Sequence, residues 1–251
     1  MRGFMERFWY FGVYVVKKYI HDEMSVYGAQ ASFFTILAAF PFLMLLLAFI
    51  ELVPLVHESD LMRVLTELLP DHFDPLIVTV LESLRSSSPG AILSASAVAA
   101  LWSSSKGMLS IERGLNRAYH VQVQRNYFVR RIICSGYTFL FALMCVISLV
   151  FRFSAFLILL FLITAFYVVL PYQKQKILSQ LPGALFSTVG WGIFSAAFSF
   201  YFQHIGQFSA GYGGLTAVIF LMLWLYFCIC ILFLGAEVNS VLAVESPFHQ
   251  P

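Results

Sequence analysis

From Ile132 to Leu170 the chain is almost wholly apolar, a run about twice the ~20 residues that one helix needs to cross a bilayer. Water cannot satisfy such a segment, and lipid tolerates its backbone only as helix or closed barrel. Arg152 and Ser154 are its one real interruption. A charge at the centre of a span costs roughly 2.5–3.5 kcal/mol on insertion scales, which favours a tight turn there and two spans, 132–150 and 153–170. Composition extends the inference to the whole chain. Only 11% of the residues are charged and 60% are hydrophobic, against about 25% charged in a soluble domain. So few charges cannot cover a water-facing surface, and an all-α polytopic membrane protein follows, a single integral membrane domain over 1–251.

Other apolar segments read as further spans at about 28–53, 90–110, 183–203 and 214–236, six in all. Pro41 lies inside the first, where loss of one backbone donor predicts a kink near Leu37–Phe40. Ahead of the spans, Phe4, Phe8, Phe11, Val15 and Tyr19 repeat at helical spacing against Arg7, Lys17 and Lys18. Residues 4–20 are therefore expected to be an interfacial helix. Residues 55–89 carry two amphipathic stripes, Leu61, Val64, Leu65, Leu68, Leu69 and then Phe73, Ile77, Val80, Leu81, Leu84, separated by Pro70 and Asp74-Pro75. They predict two short helices forming an extracytoplasmic helical cap.

Lysine and arginine placement sets the expected orientation. Twelve fall in the N-terminal segment, the loop from Lys106 to Arg131 and the Lys174–Lys176 loop; Arg63, Arg85 and Arg152 lie on the other side. Both termini are thus expected in the cytoplasm. The four cysteines sit within apolar runs with no metal-ligand spacing, so they read as buried small hydrophobes.

The segment 91–120 draws the features together. Ala91, Ala95, Ala99, Ser103 and Gly107 fall four apart and predict a face on which another helix packs closely. Beyond it, 106–131 is expected to be a cytoplasmic basic helix and loop. Met108, Ile111, Leu115 and Ala118 form its apolar stripe, with Lys106, Arg113, Asn116 and Arg117 on the polar side.

Three blocks, Tyr27–Leu47, Ala100–His120 and Leu181–Ser240, resemble in order and spacing the YihY/BrkB family of bacterial inner-membrane proteins, once labelled ribonuclease BN-like. Leu101, Trp102, Leu115 and Asn116 carry one signature; Tyr212, Gly213, Leu215, Trp224, Leu225, Tyr226 and Leu234–Glu237 carry the other. The resemblance implies six membrane helices, a place in the bacterial plasma membrane, and a role discussed as virulence factor or as transporter of envelope lipids. In that family the external connection between the third and fourth spans is usually longer than the turn expected here at Arg152.

The residue inventory argues against ribonuclease chemistry. Hydrolysis of RNA needs an acid–base pair or a carboxylate–histidine cluster around metal, and the six histidines are scattered with no HxH or HxxxH pair. Neither a catalytic residue nor a cofactor is expected, and no phosphate-binding GxxxxGK[ST] loop is present. Polar groups within the spans fit transport better, and we read a transporter or flippase-like protein for an amphipathic or anionic envelope substrate. The alternative is a non-catalytic scaffold for envelope biogenesis. The substrate or gate candidates are Gln30, Ser32, Thr35, Lys106, Arg113, Asn116, Arg117, Glu237 and Asn239. Serines and threonines of the second and fifth spans, among them Thr188, Ser195 and Ser199, could extend a polar groove, although such side chains often bond only their own helix. Glu237 is expected to pair with Arg113 or Arg117 and close a cytoplasmic gate. Pro41, Trp102, Gly211, Tyr212, Gly213, Trp224 and Gly235 are hinge or packing candidates. Membrane lipids are the expected partners, with anionic headgroups drawn to the basic side at about 1 kcal/mol per cation. Nucleic acid is not an expected partner, and a homo-oligomer is compatible with the sequence.

Overall fold

The computed structural model describes residues 2–52, 58–70, 73–85, 95–123, 125–150, 154–205 and 213–245. Among them every regular element is a helix: α1 (Arg2–His21), α2 (Met24–Leu52), α3 (Glu58–Leu68), α4 (Asp74–Arg85), α5 (Ala95–Ala118), α6 (Tyr127–Val150), α7 (Ala155–Val169), α8 (Ile177–Ile205) and α9 (Gly213–Glu245).

Among the described residues four helical stretches are long and apolar enough to cross a membrane: Met24–Leu47, Tyr127–Val150, Ile177–Tyr201 and Ala217–Ala243. The long apolar run divides where the sequence predicts. Helix α6 stops at Val150 and α7 starts at Ala155, with Ser154 extended ahead of it; residues 151–153 lie outside the described set. Helix α7 is apolar but has 15 residues, about 22 Å at 1.5 Å per residue, short of the ~30 Å core of a bilayer. Helix α5 has the length, 24 residues, but carries Lys106, Glu112, Arg113 and Arg117 and is not among the four apolar stretches. One rod runs from Ala95 to Ala118 and carries both the small residues and the basic ones, and the next helix opens at Tyr127, within the stretch 106–131.

Other boundaries move in the same direction. The first span begins at Met24 and continues as helix through Pro41. The last continues past 236 to Glu245, so Glu237 and Asn239 lie within a helix rather than in a polar tail. Helix α1 is held by more than interfacial aromatics. Its C-terminal part packs on α2 and α9, with Val15 buried, while Trp9, Tyr10 and Tyr14 stay exposed. Glu23, at φ 55°, makes the sharp change of direction into α2.

The most extensive helix interface joins α2 to α5, followed by α8 with α9. At the first, a Cβ on Gly107 would sit 3.2 Å from the Thr35 Cα. Ser104 and Ser105, not Ser103, are the serines buried nearby, so the small-residue stripe holds at Gly107 and fails at Ser103. Ala95 and Ala99 lie in helix α5, and Ala91 falls outside the described residues. One cluster, including Met24, Met108, Leu115, Ile163 and Phe233, fills the centre of the bundle. A second fastens α3 to α2, α6 and α7 through Leu61, Val64, Leu46, Val146 and Ile158. Both short amphipathic helices form, and Leu61, Val64, Phe73 and Ile77 are buried as their stripes predict. Large apolar side chains such as Phe33, Leu37, Leu140, Phe161, Ile193 and Phe227 face outward from the long helices. So extensive an apolar exterior suits lipid and not water.

Candidate functional site

Cross-links among the helix ends show which termini share a side. The start of α2 meets the end of α5, the start of α6 meets the body of α5, and the start of α8 meets the ends of α5 and α9. Most of the lysines and arginines gather at this basic end, which is closed by three polar networks.

In the first, Lys18 of α1 reaches Glu237 of α9, donates to the Ala118 carbonyl at 2.7 Å, and lies 3.3 Å from Asp22. Asp22 in turn faces Arg117 at 3.5 Å and the His120 imidazole at 3.6 Å. Both carboxylates are buried, and two acids face two permanent cations. The expected pairing of Glu237 with Arg113 or Arg117 is therefore corrected. Lys18 takes that place because α1 folds against the bundle, and Arg117 serves Asp22. Arg113 instead lies over the Tyr127 ring. One oxygen of Glu237, Oε1, has no hydrogen-bond partner among the described residues.

The second network joins α8 to α9. Gly183 N–H donates to Asn239 Oδ1 at 2.7 Å, Asn239 donates to the Gln180 carbonyl and side chain, and Tyr119 donates to Gln180 Oε1 at 2.6 Å. Burial pushes the Tyr119 phenol well above its ordinary pKa, which keeps it a donor. In the third, Arg130 donates to Glu112 at 2.6 Å, Asn116 donates to Glu112 Oε1 at 2.8 Å, and the Tyr172 N–H donates to Asn116 Oδ1 at 2.8 Å. Asn116 is thus buried, not on the solvated face expected for it. Lys106 is exposed and sits 5.8 Å from the Phe34 ring, apart from these networks.

Above them α8 and α9 nearly touch. A Cβ on Gly235 would meet Ser187 Oγ at 2.0 Å and the Gly183 carbonyl at 2.5 Å. Tyr167 bonds Ser187 at 2.8 Å and the Leu232 carbonyl at 2.5 Å across this seam. Gly235 thus lies at the closest approach of the two helices. Trp224 is likewise buried, beside Phe73, Phe198 and Cys228. Trp102 is half-exposed beneath the buried Arg131, whose guanidinium is 4.5 Å from its ring and bonds its carbonyl at 2.9 Å.

Farther along α8 the packing opens. A cleft of about 600 Å³ lies between the α3 end, the start of α7 and the second half of α8. Thr66, Glu67, Thr188, Trp191, Ser195 and Ser199 give it polar groups, and Leu69, Phe156, Leu159 and Phe200 an apolar wall. Ser195 to Gln180 is 15 residues of helix, about 22 Å, so the cleft is well separated from the basic-end networks. The fifth-span hydroxyls at 188, 195 and 199 do converge. Those of the first and second spans do not join them: Ser32, Ser104 and Ser105 bond carbonyls of their own helices at 2.9, 3.1 and 2.7 Å. Thr35 is held in the α2–α5 interface without a partner for its hydroxyl among the described residues, and Gln30 is half-buried outside the cleft. Gly211 and Tyr212 lie outside the described residues, and Gly213 is the first residue of α9.

Sequence reading missed Lys18, Asp22, Glu112, Tyr119, Tyr167 and Gln180. Two signals were available: the i,i+4 spacing of Lys18 and Asp22, and Glu112 as a lone acid within the basic segment. The roles of Tyr167 and Gln180 follow only from which helices become neighbours.

A helical bundle with an apolar exterior, buried polar networks at one end and charge concentrated there defines a polytopic membrane protein. The sequence model of the family described as Virulence factor BrkB matches residues 15–250, and the chain belongs to that family. It is 31% identical to a ribonuclease-like protein, YfkH, of Bacillus subtilis, over 92% of this chain and 96% of that one. UPF0761 membrane proteins of Aliivibrio salmonicida and Vibrio campbellii are 22% and 23% identical, over 93% and 91% of this chain and 83% and 81% of theirs. No solved structure gives a significant match.

Proposed function

We propose that the protein is a membrane transporter or flippase-like protein that handles an amphipathic or anionic envelope substrate. The supporting observation is the cleft, polar along α8 and apolar along α7, about 600 Å³ in volume. That size lies within the ~300–1,000 Å³ range of small-molecule sites. In this reading α2, α5, α6, α7, α8 and α9 make six crossings of the bacterial plasma membrane, with the basic end and both termini in the cytoplasm, as the positive-inside bias requires. The ion-paired end acts as the closed gate and the cleft as the open side. Ribonuclease chemistry is not part of it: among the described residues no three His, Cys, Asp or Glu side chains converge as metal ligands, and Glu112, Asp22 and Glu237 are each engaged by a cation.

Reconstitution into liposomes with a panel of fluorescent lipids tests this. Protein-dependent loss of inner-leaflet protection from a membrane-impermeant quencher is expected for at least one headgroup, and Ser199→Trp, which fills the cleft, should abolish it. No translocation of any lipid, or translocation indifferent to Ser199→Trp, would retire the reading.

A further inference from the structure

The lining of the cleft has a chemistry of its own. Glu67 is the one charged residue among those that form it, and its carboxylate is roughly half-exposed. It accepts from the Ala155 N–H at 3.3 Å and faces Arg63 at 3.5 Å, which leaves lone pairs for a further donor. Arg63 is not among the described residues that line the cleft, and it pairs with Glu67. Among the described residues that line the cleft there is no cation, so a phosphate entering here would meet a carboxylate whose partner, Arg63, lies outside that lining. An uncharged donor would meet an acceptor.

Hydroxyls and the Trp191 indole complete the surface. Ser195 accepts from the Trp224 indole N–H at 3.2 Å, so its own proton is directed elsewhere. Ser199 adds a second hydroxyl one turn on, on the same face. Trp191 lines the cleft, stands edge-on to Trp224 with ring centroids 5.4 Å apart, and has no acceptor for its indole N–H among the described residues. Opposite, Phe156 and Leu159 supply an apolar wall suited to hydrocarbon. Aromatic rings beside mixed hydroxyl donors and acceptors, with a carboxylate but no cation, match a polyhydroxylated neutral group. The apolar wall matches an acyl chain attached to it.

We propose that this cleft binds a lipid whose headgroup is uncharged and rich in hydroxyls, a glycosyl-diacylglycerol type of molecule. The assignment rests on the transporter reading and narrows its substrate from amphipathic or anionic to amphipathic and neutral.

The test uses the full chain in phosphatidylcholine nanodiscs, with Trp9→Phe and Trp102→Phe so that Trp191 and Trp224 report. Monoglucosyl-diacylglycerol, phosphatidylglycerol and free glucose are titrated in turn. The glycolipid should give a saturable fluorescence change at a concentration at least about tenfold below that of phosphatidylglycerol, the equivalent of ~1.4 kcal/mol of preference. Ser199→Ala should weaken it several-fold, in line with one lost hydrogen bond of about 1 kcal/mol. Glu67→Lys should reverse the preference toward phosphatidylglycerol, and Glu67→Gln, which keeps an acceptor, should retain the glycolipid. Equal or tighter binding of phosphatidylglycerol, or free glucose saturating the signal at the glycolipid's concentration, would overturn the assignment. Selective binding without translocation in liposomes would support this assignment while removing the transporter reading. Translocation blind to headgroup would overturn the assignment and leave that reading intact.

Discussion

The basic end and the cleft are built from the same kinds of helix but solve opposite problems. At the basic end, charge is taken out of water and matched: Lys18 and Arg117 against Asp22 and Glu237, Arg130 against Glu112. Helices α1, α5, α6, α8 and α9 each contribute a side chain there, Asp22 joins from the turn between α1 and α2, and α7 contributes Tyr167 just above. In the cleft, the polar groups are mostly hydroxyls with single partners, Glu67 is the charge among the described lining residues, and the helices part enough to leave space. A network whose members depend on one another has two conditions, assembled or broken. A cleft lined by hydroxyls tolerates different occupants and local change. The difference suggests that conformational control resides at the paired end and recognition at the open one.

Breaking the pairs should have the largest effect. Lys18→Met removes the cation that faces buried Glu237 and Asp22, and a loss of up to about 3–5 kcal/mol is expected, read as a lower unfolding midpoint in detergent. The double change Lys18→Met with Glu237→Leu should recover part of that loss, the remainder belonging to the contacts of Lys18 with Asp22 and the Ala118 carbonyl. Failure to recover would mean that the two residues are not a pair. Next comes the helix seam. Gly235→Ala places a methyl against the Gly183 carbonyl and the Ser187 hydroxyl, and overpacking of about 1–3 kcal/mol is expected. Gly192→Ala, on the same α8 but in the cleft, meets nothing within 4 Å and should fold as the parent does. Equal behaviour of the two glycine variants would erase the distinction between seam and cleft.

Smaller effects sharpen the contrast. Tyr167→Phe removes the bonds to Ser187 and to the Leu232 carbonyl, and about 1–2 kcal/mol of destabilisation should appear in the same assay. Ser199→Ala should change stability by less than about 0.5 kcal/mol, and its effect should be on binding alone.

Much of this architecture was legible in the sequence, for a physical reason. Hydrocarbon length, cation bias and helical stripes are local patterns, so the split of the run at Arg152, the stripes of α3 and α4, and the collection of cations at one end all follow from neighbours in sequence. Helix ends were less legible. Glu237 and Asn239 read as a polar tail because a charge usually terminates a span, but partners on α1 and α8 extend α9 by two turns. Asn116 read as solvated for the same reason and is buried because Glu112 and Tyr172 satisfy it. The partner of Glu237 was missed because α1 read as a surface helix, which concealed that Lys18 faces inward. The cleft was half-legible. Ser195 and Ser199 were identifiable as polar residues in lipid, but nothing local separates them from Ser32, Ser104, Ser105 and Thr188, which bond carbonyls of their own helices. What distinguishes them is the arrival of α3 and α7 beside α8, a fact of tertiary packing.

Cysteine reactivity at two isosteric sites tests the central contrast most directly. In a background with Cys134, Cys145, Cys228 and Cys230 replaced by alanine, Ser199→Cys and Ser240→Cys are each exposed to a water-soluble maleimide in native membranes opened to both sides. The cleft should let Ser199→Cys react readily, whereas Ser240→Cys, buried at the paired end, should be protected until Lys18→Met is added. Equal labelling of the two sites, or protection at Ser240→Cys unaffected by Lys18→Met, would contradict a molecule open along α8 and closed by its buried charges.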